Sequence, residues 1–152
     1  NIFYLYILMD HLSLSSILDT PNRVRQIFKN KNDNDNINDI SFKLKHSLEK
    51  RKDESFRILI AYPERVPIIC ERIDNDIPNL NRKKYLVPED LSMGNFMYII
   101  RKRLSLAPET ALYFFVNNKL IPVSHLMGNI YEKNKDEDGF LYIIYSGEST
   151  FG

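Results

Sequence analysis

The ending SGESTFG places Gly152 directly after Phe151, close behind the apolar run FLYIIY. A glycine in that position has two readings: chance, or chemistry that uses the glycine carboxylate itself. The single cysteine, Cys70, would need a base such as His125 to act as a nucleophile. It lies inside the apolar run RVPIICERI, where an inert buried thiol is far more common than a thiolate. His11, His46 and His125 stand apart, without the spacing of metal ligands. The five glycines form no phosphate-cradling loop. No cofactor, no metal and no enzymatic activity are therefore expected. The remaining place is KKYLVP, Lys83 to Pro88. On a strand, Lys84 and Leu86 point to one side and Tyr85 and Val87 to the other. The bounding Pro88 suits a strand at the edge of a sheet. There the backbone can pair with an extended peptide whose alternate side chains enter pockets.

These residues must be positioned by a fold, and the composition bounds it. The chain of 152 residues suits one globular domain with an extension, and its 43% hydrophobic content is enough for a core. A net charge of +1 gives no bulk attraction to nucleic acid. One cysteine allows no internal disulfide and favours a reducing, cytoplasmic setting. The opening IFYLYILM is eight residues long, against the ~20 of a membrane-spanning helix. It lacks the basic start and small-residue cleavage site of a secretory signal. Residues 1–8 are read as a fragment of a longer precursor or a gene-prediction artefact, with a short hydrophobic tether as the alternative. TPNRVRQIF reads as a short helix with Thr20 as cap and Pro21 at its first position. NKNDNDNIND, Asn30 to Asp39, reads as a disordered linker, because Asn and Asp satisfy coil backbone better than helix or strand. Residues 1–40 are thus expected to be an extension, largely disordered or artefactual. The folded domain is expected at 41–152.

Within it, SFKLKHSLEKR and DESFRILIAY read as two helices, the second capped by Asp53 and ended by Pro63. RVPIICERI is a strand by its β-branched content. SMGNFMYIIRKRL is a helix capped by Ser92, with basic residues at the negative end of its dipole. ALYFFVNN is a strand entering an Asn-Asn turn. SHLMGNIYEKN is a helix capped by Ser124, and KDEDG is a turn. FLYIIY reads as a central strand buried on both faces. The two most apolar strands are the first and the last, which suits a parallel central pair with the long helix across one face.

Five blocks carry a resemblance: YPERVPIICER, KKYLVPEDLSMGNF, IRKRLSL, ALYFFVNN and DEDGFLYIIYSGESTFG. In this order and spacing the chain, from about Ser41 to Gly152, resembles the autophagy-related protein eight family of ubiquitin-like modifiers. That family includes the microtubule-associated light chain and the GABA-receptor-associated proteins. The resemblance implies an α+β, ubiquitin-like β-grasp with two additional N-terminal helices. It implies a modifier whose terminal glycine is activated, passed through thioesters and joined to phosphatidylethanolamine. The expected partners are the activating and conjugating enzymes, a deconjugating cysteine protease, cargo receptors and adaptors, and a phosphatidylethanolamine membrane. The lipidated form would sit on autophagosome, vacuole-related or plastid membranes. Gly152, lacking a side chain, would enter narrow enzyme clefts in an extended form, with Phe151 as a recognition handle. Many family members carry residues beyond this glycine; here there are none, so the chain is read as either the mature form or one encoded with a ready-made glycine. A β-grasp adaptor that is never conjugated is the alternative.

The resemblance also implies two pockets beside KKYLVP. The first, for an aromatic residue, is built from Glu54, Ile58, Pro67, Ile69, Lys84, Leu86 and Phe140. The second, for an aliphatic residue, involves Tyr85, Val87, Pro88, Leu91, Phe96 and Ile99. Arg65, Lys83, Lys84 and Arg103 suit acidic residues flanking such a peptide. For Phe96 and Ile99, core packing and pocket lining weigh equally. If the first pocket opens to solvent, Leu86 can be truncated without unfolding the protein. One departure stands out: the family usually has mostly charged residues around a single buried isoleucine in its second helix, whereas SFRILIAY adds Phe56, Leu59 and Ile60 to Ile58.

Overall fold

A computed structural model describes residues 41–73 and 76–148. The expectations for residues 1–40, and Gly152 itself, lie outside the described residues. The elements run in the order α1 (Phe42–Lys45), α2 (Leu48–Ala61), β1 (Arg65–Arg72), β2 (Lys84–Pro88), α3 (Met93–Leu104), β3 (Tyr113–Val116), β4 (Lys119–Leu120), α4 (Met127–Asn134) and β5 (Leu141–Ser146). The strands form one mixed sheet in the order β2-β1-β5-β3-β4. The first and last long strands are parallel neighbours, with Ile68 opposite Leu141 and Cys70 opposite Ile143. β2 is an edge strand, antiparallel to β1, with Pro67 opposite Leu86 and Ile69 opposite Lys84.

The alternation along β1 divides the core. Val66, Ile68 and Cys70 face the cluster that includes Phe96 and Ile100 of α3. Ile69 faces the opposite cluster with Phe42 of α1 and Ile58 of α2. β1 is therefore buried on both faces, as a central strand must be. β5 is less symmetric than FLYIIY suggested. Leu141, Ile143 and Tyr145 are fully buried, while Tyr142 and Ile144 are half-buried. The Asn117-Asn118 turn has both residues at positive φ, the twist that a tight hairpin requires, and it leads into the two-residue β4.

Two caps differ from expectation. α2 begins six residues earlier than an Asp53 cap implied, because the Ser47 side chain accepts a bond from Lys50 N at 3.3 Å and LEKRK is helix-forming throughout. Asp53 lies inside that helix and pairs with Arg57 at 2.7 Å, one turn on. α4 begins at Met127, after an N-cap at Leu126 with no side-chain bond, so Ser124 does not cap it. The reason is tertiary: Met93 N donates to His125 O and Met127 N to Leu91 O, which holds residues 125–127 extended against the start of α3.

Candidate functional site

The edge strand β2 sorts its side chains as the period of two requires. Leu86 points into the cluster of Phe42, Ile58, Ile69 and Phe140. Tyr85 and Val87 point into the other cluster with Leu91 and Phe96. The residues expected around the aromatic pocket are thus gathered on one side of the sheet. Pro67 is buried in β1 directly opposite Leu86. Above them, Lys84 Nζ meets Glu54 Oε1 at 2.5 Å and lies 5.1 Å from the Phe42 ring centroid.

The apolar walls are closed rather than open. Leu86 is 3% exposed, and Ile58, Ile69 and Phe140 no more than 1%. Phe42 completes the enclosure, with its ring edge-on to Phe140 at 5.4 Å. Leu86 is therefore a core residue, and the condition for its harmless truncation, a pocket open to solvent, is not met. Phe42 and His46 were not singled out as site residues from sequence. The signal for Phe42 was an apolar residue at helical spacing next to polar ones, and nothing marked the isolated His46. Its ring packs against that of Phe42, tilted by 50° with centroids 4.7 Å apart. Burial, then the nearby Lys84, pushes the His46 pKa below the ordinary histidine value, against a smaller opposing effect of Glu54.

The expected aliphatic pocket is mixed. Phe96 is fully buried and edge-on to Tyr85 at 5.7 Å, so it is core. Val87 and Leu91 are buried as well, whereas Ile99 and Pro88 are half-buried and reach the surface. The cations do not form one patch. Lys83 pairs with Glu71 at 3.4 Å at the start of β2, beside Lys84. Arg65 lies opposite Pro88, at the other end of the ladder, with its guanidinium 5.6 Å from the Tyr62 ring centroid. The Arg65 Nη1 is buried without a hydrogen-bond partner among the described residues. Arg103, on α3, sits 5.6 Å from the Tyr85 ring centroid.

A polar network supports this site from beneath. Arg51 pairs with Asp138, and Tyr142 Oη donates to the same carboxylate at 2.5 Å. Phe140 N donates to the other Asp138 oxygen at 2.8 Å. Lys43 Nζ binds Asp136 at 2.5 Å, and Phe42 N donates to the Glu71 carboxylate at 3.2 Å. Burial lowers the Arg51 pKa, but the bonds to Asp138 and Tyr142 outweigh it and raise the value overall. α1, α2 and the turn before β5 are thereby locked together around Phe140.

The rival nucleophile is not accessible. Cys70 is fully buried in β1, and burial, aided by Glu71, pushes its thiol pKa well up. A thiol in that state is inert.

The family model described as "Autophagy protein Atg8 ubiquitin like" matches residues 50–152. Among curated proteins, Autophagy-related protein 8 of Mycosarcoma maydis is 58% identical over 113 residues, covering 74% of this chain and 96% of its own length. Autophagy-related protein 8c of Arabidopsis thaliana is 56% identical, covering 74% of this chain and 95% of its own. The crystal structure of Trypanosoma brucei ATG8 superposes with a TM-score of 0.68 at 47% identity, covering 75% of this chain and 99% of that one. The β2-β1-β5-β3-β4 sheet behind two leading helices is the architecture that such a match requires, and the chain belongs to the Atg8 family of ubiquitin-like autophagy proteins.

Proposed function

We propose that this chain is a modifier joined through Gly152 to phosphatidylethanolamine, and that it recruits partners by adding their aromatic–x–x–aliphatic segments to β2. The carboxyl carbon of Gly152 would be activated with ATP, carried as a thioester, and transferred to the ethanolamine amine as an amide. Partners of that chemistry are activating and conjugating enzymes, a cysteine protease that reverses the step, and cargo receptors.

The observation that carries the recruitment reading is the position of β2. It is an edge strand whose Leu86 faces one apolar cluster and whose Tyr85 and Val87 face the other. An extended peptide beside it presents alternate side chains to both. The Lys84–Glu54 pair and the Phe42 ring cover the first cluster, so an aromatic anchor must displace part of this cover. Two buried anchors contribute ~1.5–3 kcal/mol each before ordering costs, so backbone pairing along β2 and the charged flank must supply the rest of a micromolar affinity of about −8 kcal/mol.

Nuclear magnetic resonance titration with an aromatic–x–x–aliphatic peptide, preceded by acidic residues, tests this. The amides of Lys84 to Val87, and of Phe42 and His46, should shift together and saturate. Shifts confined to other elements would place recruitment elsewhere and leave an adaptor with a different surface.

A further inference from the structure

α2 carries apolar side chains beyond the one it buries, and only Leu59 among them packs on the margin of the main core. Ile58 faces the core, yet Phe56 is 64% and Ile60 66% exposed, with half-buried Leu59 beside them. Spacing of three and four residues puts Phe56, Leu59 and Ile60 on adjacent turns as one strip. Large side chains exposed singly are ordinary, but a contiguous strip marks a contact surface. The strip borders concave surface. Phe56 and Leu59 line a hollow of about 450 Å³ whose far wall is Glu137, Asp138 and Gly139. Leu59 also lines a second hollow of about 520 Å³ that reaches Leu126, itself 40% exposed.

We infer that this strip is the docking surface for the chain's own N-terminal apolar stretch, Ile2 to Met9. Three observations select that occupant. First, the described fold begins next to the hollow. Lys43, two residues after Ser41, is ion-paired to Asp136, and Asp136 adjoins the Glu137–Gly139 wall. Second, the tether is long enough. Thirty-one residues, 10–40, separate the stretch from Ser41, and an extended chain spans up to ~3.3 Å per residue. Such a tether holds the stretch at an effective concentration on the order of millimolar, so a weak contact is enough. Third, the chemistry matches. IFYLYILM is eight apolar residues with two tyrosines, which suits a surface that joins apolar side chains to the polar Lys52, Asp53 and Glu137 at its rim. The stretch from Ile2 to Met9 and the strip of Phe56, Leu59 and Ile60 are the two sides of this intramolecular contact.

Hydrogen–deuterium exchange on the full chain tests this, with wild type compared against Phe56→Glu/Ile60→Glu. Both positions are solvent-exposed, so the double variant keeps the fold, and retained protection of β1 and β5 confirms that. The expected result is at least tenfold slowing of amides 2–9 relative to free-peptide rates in wild type, lost in the double variant. Light scattering should show a monomer for both. Free-peptide exchange of residues 2–9 in wild type overturns the inference, as does slowing that survives the double variant. A dimer that the double variant dissociates also overturns it, by giving the strip to a second copy.

Discussion

Lys84 Nζ on the edge strand and Glu54 Oε1 on α2 lie 2.5 Å apart, directly above the apolar cluster that Leu86 enters. The pair ties the strand expected to receive a peptide to the helix that walls its first pocket. Its two side chains are each about one-fifth exposed, so water screens the interaction and its net contribution is ~1 kcal/mol or less. Lys84→Ala should therefore weaken binding of an acidic-flanked peptide only a few-fold and reduce its salt dependence. Calorimetric titration at two salt concentrations measures both.

Leu86→Ala should act differently. The residue is almost wholly buried, so truncation removes apolar contact with the peptide anchor and also opens a cavity in the fold. Stability should fall by about 2–4 kcal/mol, the usual range for a buried leucine. Urea unfolding gives the stability, and titration below the transition gives the affinity. A stability equal to wild type would show that Leu86 is not core.

Gly139 has φ +88°, and a Cβ built there would lie 2.5 Å from Ser55 Oγ and 3.1 Å from Ser55 Cβ. Gly139→Ala combines a left-handed conformation with a clash, and it disturbs the bond from Ser55 to the Asp138 carbonyl. A loss of about 2 kcal/mol or more is expected. Ser55→Ala should relieve part of the clash, so the two changes together should cost less than their sum. Thermal unfolding of the four proteins provides the cycle.

His46 gives a pH dependence of defined sign. Its folded-state pKa is depressed, by burial first and Lys84 second, so the folded protein disfavours the proton that the unfolded chain accepts. Its contribution to stability is fully present above about pH 6.5, the unfolded value, and is lost as pH falls through the folded value. His46→Gln should flatten the stability profile between about pH 7 and 5, measured by urea unfolding across that range. An unchanged slope would remove His46 from the linkage.

Much of this fold was legible because its signals are local. Five blocks in register carried the family, and the two most apolar runs, RVPIICERI and FLYIIY, are the parallel pair at the sheet's centre. The alternation in KYLVP told which side of β2 each residue faces. What was not legible is tertiary. Ser124 looked like a cap until residues 91–93 held its neighbours extended. Asp53 looked like one until Ser47 took the role upstream. Phe96 weighed equally as core and pocket because one apolar helix face serves both, and burial decides for core. Arg51 and Asp138 are 87 residues apart in the chain, so no window of sequence links them.

Conjugation through Gly152 is read out by intact mass spectrometry after reconstituted conjugation. The full chain, the family's activating and conjugating enzymes, ATP and phosphatidylethanolamine vesicles are combined, alongside Gly152→Ala. Wild type should gain the mass of one phosphatidylethanolamine less one water, and the alanine variant should stay unmodified. An unmodified wild type, or equal modification of the alanine variant, would show that Gly152 is not the conjugated residue.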